Sequence, residues 1–226
     1  EWLNQTLFNK LAANLQQVGY TVDFISDKMI AQSQVVNSGI QTAQNAPPHK
    51  VLLVPSCKYM PVETLKKIIQ LAKDGATVIM EALPADVNGM NDLKNRRRTF
   101  NNLLAGLAFT KNENNIKHFK TGKGRIILSG NIAGAMQLIK QDREGLTDSG
   151  LQFIRRSLND GKYYYLVNHT AKIIDQYIPI DTKDTAVDTL GPQSAAYGRA
   201  AISAKSEGIN VRLQMQPGEA LILRTY

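Results

Sequence analysis

Glu81 closes the apolar run Thr77-Val-Ile-Met-Glu-Ala-Leu83, and Asp86 follows it in the loop Pro84-Ala-Asp-Val-Asn-Gly89. Cleaving a glycosidic bond needs two opposed carboxyl groups about 5 to 10 Å apart. Open α/β sheets place ligands beyond the C-terminal ends of their strands, and the order of the chain puts these two acids there. Each also has a plainer role, Glu81 as a polar strand end and Asp86 as a loop residue. Neither is assigned to catalysis. Cys57 lies between a strand and a helix, where a cysteine nucleophile is sometimes held. Its neighbours, Pro55-Ser-Cys-Lys-Tyr59, lack the small residues that a nucleophile elbow requires. An activating histidine is also needed, and His49, His118 and His169 are scattered. Cys57 is therefore expected to be inert and partly buried.

Thr121-Gly-Lys-Gly-Arg125 has a superficial likeness to a phosphate loop, but it precedes a strand and lacks the full Gly-x-x-x-x-Gly-Lys-Ser/Thr spacing. It is expected to be a tight turn. Arg96-Arg97-Arg98 could meet an anionic sugar or partner, with a solvated helix face as the default. Tyr163-Tyr164-Tyr165 could supply a sugar-stacking ring, because neighbouring side chains on a strand face opposite ways. Tyr59, Glu81 and Arg96 are the candidate binding residues. The single cysteine excludes a cysteine-built metal site and an intrachain disulfide, and no metal or cofactor is assigned.

The elements that position these groups alternate at first. Leu3, Leu7, Leu11 and Leu15 form one stripe of a helix that ends at Gly19. Tyr20–Ser26 alternates and predicts a strand, and a polar segment with a short helix follows. Lys50–Pro55 predicts a buried strand. A helix beginning near Pro61 buries Leu65, Ile68, Ile69 and Ala72 and stops at Gly75. Thr77–Leu83 is the next strand, Asp92–Leu104 a helix, Arg125–Ser129 a strand, and Asn131 caps a helix running to about Lys140. This order predicts an α/β flavodoxin-like domain with a parallel sheet over residues 1–142. Such domains open on a strand, whereas this sequence opens on a helix, so either a cut removed the first strand or a different segment fills its place.

Residues 141–150 are polar and mark the expected boundary. Beyond them helical periodicity stops, and Asn159-Asp160-Gly161 between two β-rich runs predicts a hairpin. Ile173–Ile180 is a further strand. Ile209, Val211, Leu213 and Met215 alternate before a Pro217-Gly218 turn and a return strand. A small all-β antiparallel sandwich is expected over 150–226.

Lysine and arginine number 27 against 19 aspartate and glutamate, a net charge of +8, but the positive charge is dispersed and no nucleic-acid recognition motif is present. The longest apolar runs are strand-sized, so no membrane span is expected.

Lys50-Val-Leu-Leu-Val-Pro-Ser-Cys-Lys-Tyr-Met-Pro-Val-Glu-Thr-Leu65 and Leu71-Ala-Lys-Asp-Gly-Ala-Thr-Val-Ile-Met-Glu-Ala-Leu-Pro84 resemble the glutamine amidotransferase-like domain attached to large glycoside hydrolases, including its β-galactosidase version. Gly150-Leu-Gln-Phe-Ile-Arg-Arg156, Gly161-Lys-Tyr-Tyr-Tyr-Leu-Val-Asn-His169 and Leu213-Gln-Met-Gln-Pro-Gly-Glu-Ala-Leu-Ile-Leu223 resemble the far end of family 106 α-L-rhamnosidases of Bacteroides-type bacteria. The resemblance implies a class I amidotransferase-like fold without its glutaminase motif. It also implies a much larger periplasmic or secreted parent acting on plant polysaccharides. The catalytic barrel, with its glutamates and calcium, would lie upstream, and none of those residues maps here. The expected role is accessory and non-catalytic, with the parent's barrel as partner. The alternative is a carbohydrate-binding module in which the sandwich holds the glycan.

Overall fold

The computed structural model describes residues 5–111, 116–204 and 208–226. Leu3, read above as part of the first helix, lies outside them. The chain divides into two compact units, one of Glu1–Leu11 with Asp23–Lys140 and one of Ala12–Val22 with Gln141–Tyr226.

The leucine stripe forms α1 (Leu7–Gln17), in which Leu15 is buried and Leu7 exposed. The strand expected over 20–26 does not form, because these alternating residues find no partner to complete a ladder. Ser26 instead caps α2 (Asp27–Gln32), its hydroxyl accepting from the Met29 N–H at 3.3 Å. A small hairpin, β1 (Gln34–Val36) with β2 (Gly39–Gln41), follows.

In the first unit β3 (Val51–Val54) leads to α3 (Val62–Asp74), β4 (Thr77–Met80) and α4 (Leu93–Ala105). Next come β5 (Thr110–Lys111), β6 (Lys117–Thr121), β7 (Gly124–Leu128) and α5 (Ile132–Leu138). One sheet has the order β3-β4-β7-β6-β5. Val54, Met80 and Leu128 stand in parallel register, while β6 runs antiparallel to both β7 and β5.

The expected flavodoxin-like parallel sheet is thus corrected to a mixed sheet, in a protein whose described strands pair mostly antiparallel. The amidotransferase-like likeness falls with it. The reason lies in Lys117-His-Phe-Lys-Thr121, a strand with too few apolar residues to stand out. Thr121 pairs directly with Gly124, so β7 is reached through a two-residue turn and not through a helical crossover. The same turn explains the glycines of Thr121-Gly-Lys-Gly-Arg125. Gly122 has φ +56, and a Cβ there would lie 2.1 Å from the Lys73 carbonyl oxygen; one on Gly124 would lie 2.3 Å from that of Ala76. The turn is pressed against the end of α3, where Lys123 N–H donates to Lys73 O at 2.9 Å.

The sheet and its helices share a core of Leu65, Ile68, Ala72, Val78, Met80, Phe100 and Ile126. Full burial of each large apolar side chain contributes roughly 1.5 to 3 kcal/mol.

The second unit enters its strands through a 3-10 turn, Gly145–Ser149. It builds β8 (Leu151–Leu158), β9 (Gly161–Asn168), β10 (Ile174–Ile180) and β11 (Val187–Leu190). Then come β12 (Tyr197–Arg199), β13 (Ile202–Ala204), β14 (Ile209–Met215) and β15 (Ala220–Thr225). The sheets have the orders β12-β11-β15-β9-β8 and β10-β14-β13, with every pairing antiparallel. Tyr164, Leu166, Val187 and Leu223 from the first sheet share one core with Ile178, Val211 and Leu213 from the second. Alternation along β14 fixes its inward set, since a slip of one residue would expose all of them.

Candidate functional site

The parallel strands β3 and β4 end together, and the loops beyond them hold the acids, the thiol and the aromatic ring singled out above. The Glu81 N–H donates to Val54 O at 2.9 Å, extending the ladder by one step. Its carboxylate then turns toward the other loop, where Oε2 accepts the Ser56 N–H at 2.8 Å. Lys58 O accepts from the Ala85 and Asp86 N–H groups, and Met60 N–H donates to Asp86 O, so a bridge sets Tyr59 beside Asp86.

Asp86 is the most strongly perturbed acid at this end. Arg97 grips it in a fork: Nε lies 2.9 Å from Oδ1, and Nη2 lies 2.5 Å from Oδ2. The Val87 N–H adds a third donor at 2.8 Å. The Arg97 hydrogen bonds foremost, and then the Val87 N–H, pull the Asp86 pKa down to about 2. A carboxyl group held ionised in this way has no proton to give at neutral pH, so it is unsuited to general acid catalysis. It serves as an anchor for Arg97 on α4.

Of the candidate binding residues, Tyr59 is 52% exposed, with the Lys58 ammonium 5.2 Å from its ring centre. Glu81 is engaged with Ser56. Arg96 ties the loop before α4, donating to the carbonyls of Asn88 and Asn91. The structure therefore brings Tyr59, Asp86 and Arg97 together, and Arg96 acts on the loop. The role of Arg97 was hidden in the sequence because its neighbours are also arginines. The signal available was an acid just beyond a strand and an arginine one turn into the next helix.

Cys57 is partly buried and packs against the core. Burial, then the nearby Asp27 charge, push its thiol pKa up, the reverse of what a nucleophile needs. His49 bridges to Ile40 and lies 3.8 Å from Asp23, His118 is on β6, and His169 belongs to the other unit. No group of three or more metal-ligating side chains occurs among the described residues.

A cavity of about 770 Å³ was not foreseen. It opens where β7 ends and β6 begins, lined by Ile116, Lys117, Leu128, Ser129, Asn131 and Gln137 among others. Asn131 caps α5 by accepting the Gly134 N–H at 2.9 Å, and Ser129 hydrogen-bonds the Asn131 backbone. These polar groups serve the local backbone. Lys117 and Gln137 at the rim are able to hydrogen-bond a polar solute.

The family model for α-L-rhamnosidases of glycoside hydrolase family 106 matches residues 3–183. The chain belongs to glycoside hydrolase family 106. Among solved structures, the rhamnosidase from Novosphingobium sp. PP1Y superposes with a TM-score of 0.75 at 20% identity, over 91% of this chain and 20% of that one. Gan42B, a GH42 β-galactosidase from G. stearothermophilus, superposes with a TM-score of 0.54 at 10% identity, over 95% of this chain and 35% of that one. At such identities these likenesses concern fold alone. The family 106 chain thus spans about a fifth of the length of that rhamnosidase. Comparison with curated proteins gave no match. No described helix is long and apolar enough to cross a membrane.

Proposed function

We propose that this family 106 segment is a non-catalytic accessory part of a larger, α-L-rhamnosidase-like hydrolase that acts on complex polysaccharides, and that a catalytic region of the same polypeptide is its partner. The observation carrying this reading is that both acids at the sheet end are engaged. Asp86 is neutralised by the Arg97 fork, and Glu81 accepts a backbone N–H from Ser56. A hydrolytic pair needs one carboxyl group able to donate a proton and another facing it across the bond. Support also comes from the family match over 3–183 and from the small share of the Novosphingobium rhamnosidase that the segment covers. A periplasmic or secreted location belongs to the same proposal.

The test is turnover of an aryl α-L-rhamnoside by the chain alone. None is expected. Hydrolysis that disappears in Glu81→Gln would overturn the proposal. Calorimetric titration with plant-derived oligosaccharides separates the other reading, in which the β-sheet unit itself holds glycan, because only that reading gives saturable heat.

A further inference from the structure

The two ends of the first unit's sheet, β3 and β5, are treated differently by the sequence. Edge strands are ordinarily kept from further pairing by being very short or by carrying charge. β5 does both, with two exposed residues of which one is Lys111. β3 carries no charge over Val51-Leu-Leu-Val54. Its backbone shows what is left open. Val54 O accepts the Glu81 N–H at 2.9 Å, so Val54 and Leu52 turn their backbone groups toward β4. Alternate residues of a strand turn opposite ways, which sends the N–H and C=O of His49, Val51 and Leu53 to the outer edge. His49 agrees with this assignment, exchanging bonds with Ile40 at 2.7 and 2.9 Å. The hairpin that supplies Ile40 then reverses at Asn37 and Ser38, both at positive φ, and leaves the edge after that one residue. Among the described residues, none pairs with Val51 or Leu53 on the outer side. Leu53 is half-buried, where a backbone group without a partner is costly.

Apolar side chains gather beside this edge without cover. Asp23 Oδ2 lies 3.8 Å from His49 Nδ1, and Ile25 packs on the core that Leu52 and Val54 enter, so residues 23–25 run near the edge. Phe24 between them is 57% exposed, its ring meeting that of Phe8 edge-on at 5.3 Å. Leu7, next to Phe8 on α1, is 60% exposed. Large apolar side chains exposed singly need no explanation. These adjoin an open ladder.

We infer that the outer edge of β3 is completed by a further β-strand, apolar where it meets Phe24, contributed by a region of the same family 106 polypeptide outside these 226 residues. A row of outward N–H and C=O groups selects a strand, because only an extended main chain pairs with it residue by residue. A glycan or the side of a helix has no matching row. The described residues offer no candidate of their own, since the hairpin meets β3 at His49 alone and Tyr20–Ser26 enters no ladder. A second copy fits poorly. Two β3 edges facing each other, with Val51 opposite Leu53, would set Pro55 of one copy where Ile40 already lies opposite His49 of the other, and proline has no N–H to give. The inference rests on the reading that the segment belongs to a longer polypeptide, which the 20% of the Novosphingobium rhamnosidase that it covers supports, and does not depend on its being non-catalytic.

The experiment compares amide hydrogen exchange, read residue by residue, in the 226-residue chain and in the complete gene product. In the 226-residue chain Leu52 and Val54 should exchange slowly and Leu53 quickly, following the alternation of the strand. In the complete product the Leu53 amide should slow by about tenfold or more, as expected for one added hydrogen bond. Hydroxyl-radical oxidation of Phe24 should fall with it. Leu166, buried in the other unit, is the control. Equal exchange at Leu53 in both proteins overturns the inference, as does a gene product with no further region. Slow exchange at Leu53 in the dilute 226-residue chain means that the chain closes its own edge, and overturns it. Slowing that grows with the concentration of that chain assigns the edge to a second copy and overturns it. Slowing at Leu53 no greater than at Leu166 reports general stabilisation and also overturns it. Turnover of rhamnoside by the chain would sink the non-catalytic role while leaving the exchange comparison untouched.

Discussion

Glu144 Oε1 lies 2.5 Å from Arg155 Nη1 and also accepts the Tyr164 hydroxyl at 3.1 Å, in a site where Glu144 is 1% exposed. Its other oxygen accepts the Asp181 N–H at 3.2 Å, so one buried carboxylate ties the entry of the second unit to β8, β9 and the end of β10. A buried acid is tolerated only when its charge and lone pairs are met in this way. For Arg155, burial opposes the charged form, and the charge and hydrogen bond of Glu144 together with Tyr164 more than offset it.

Removing one partner of this pair strands the other. Arg155→Met should destabilise the protein by about 3 kcal/mol, because Glu144 is then left buried without its cation. Glu144→Gln should cost less, about 2 kcal/mol, since Arg155 retains some solvent access. Urea unfolding of the two single variants and the double variant gives the coupling energy, which should be about 1 kcal/mol or more. Additive effects would show that the pair is not coupled. Burial and the Glu144 charge push the Tyr164 pKa strongly upward. Its hydroxyl should therefore escape alkaline titration, followed by absorbance, until the protein unfolds.

The Asp86–Arg97 fork sets an acid limit. The folded pKa of Asp86, about 2, is below its ordinary 3.8. The stabilisation is present above the ordinary value and is lost as pH falls through about 2. Asp184, held low first by the Thr225 hydroxyl, and Asp188, held low first by the Tyr197 hydroxyl, act in the same sense. Stability should fall as the solution is acidified below the usual carboxylate range. In Arg97→Gln the Asp86 titration, followed by carboxyl NMR shifts, should move back toward 3.8. No movement would mean that the fork does not form in solution.

Gly122→Ala forces a side chain into a left-handed turn against the Lys73 carbonyl. A loss of about 2 to 3 kcal/mol is expected from strain and displacement of the turn, seen as a lowered melting temperature. An unchanged melting temperature would contradict the packing of this turn on α3.

Cys57 should alkylate slowly at neutral pH. Burial, and secondarily the Asp27 charge, raise its pKa, which depletes the reactive thiolate. Iodoacetamide should react several-fold faster once the chain is unfolded in urea, by the same thiolate argument. Cys57→Ser should be tolerated. Rapid labelling of the folded chain would instead mark an activated thiol.

The sequence revealed most clearly those elements whose periodicity and punctuation agree. In α3, the apolar positions Leu65, Ile68 and Ala72 and the terminal Gly75 coincide, and the helix ends where expected. The Asn159-Asp160 turn between β8 and β9 was equally legible, because turn chemistry and flanking strands point the same way. Tyr20–Ser26 misled because alternation states only what a strand would bury, and says nothing of whether a neighbour exists to pair with it. In β6, Lys117, His118 and Lys120 hide the pattern, so the sheet was expected to continue in parallel. At the sheet end, Glu81 and Tyr59 could be placed from strand boundaries alone. The Arg97 fork depends on how α4 is rotated about its axis, which three consecutive arginines do not reveal.

The reversal of direction at β6 also bears on how the first unit assembles. Thr121 and Gly124 meet across a two-residue turn, whereas β3 is joined to β4 through the whole length of α3. Hairpins close within about 1 to 10 μs, ahead of pairings that must wait for a long loop to close. The β6–β7 pair is therefore positioned to act as an early template, offering the free edge of β7 as the rail on which β4, and then β3, come into register.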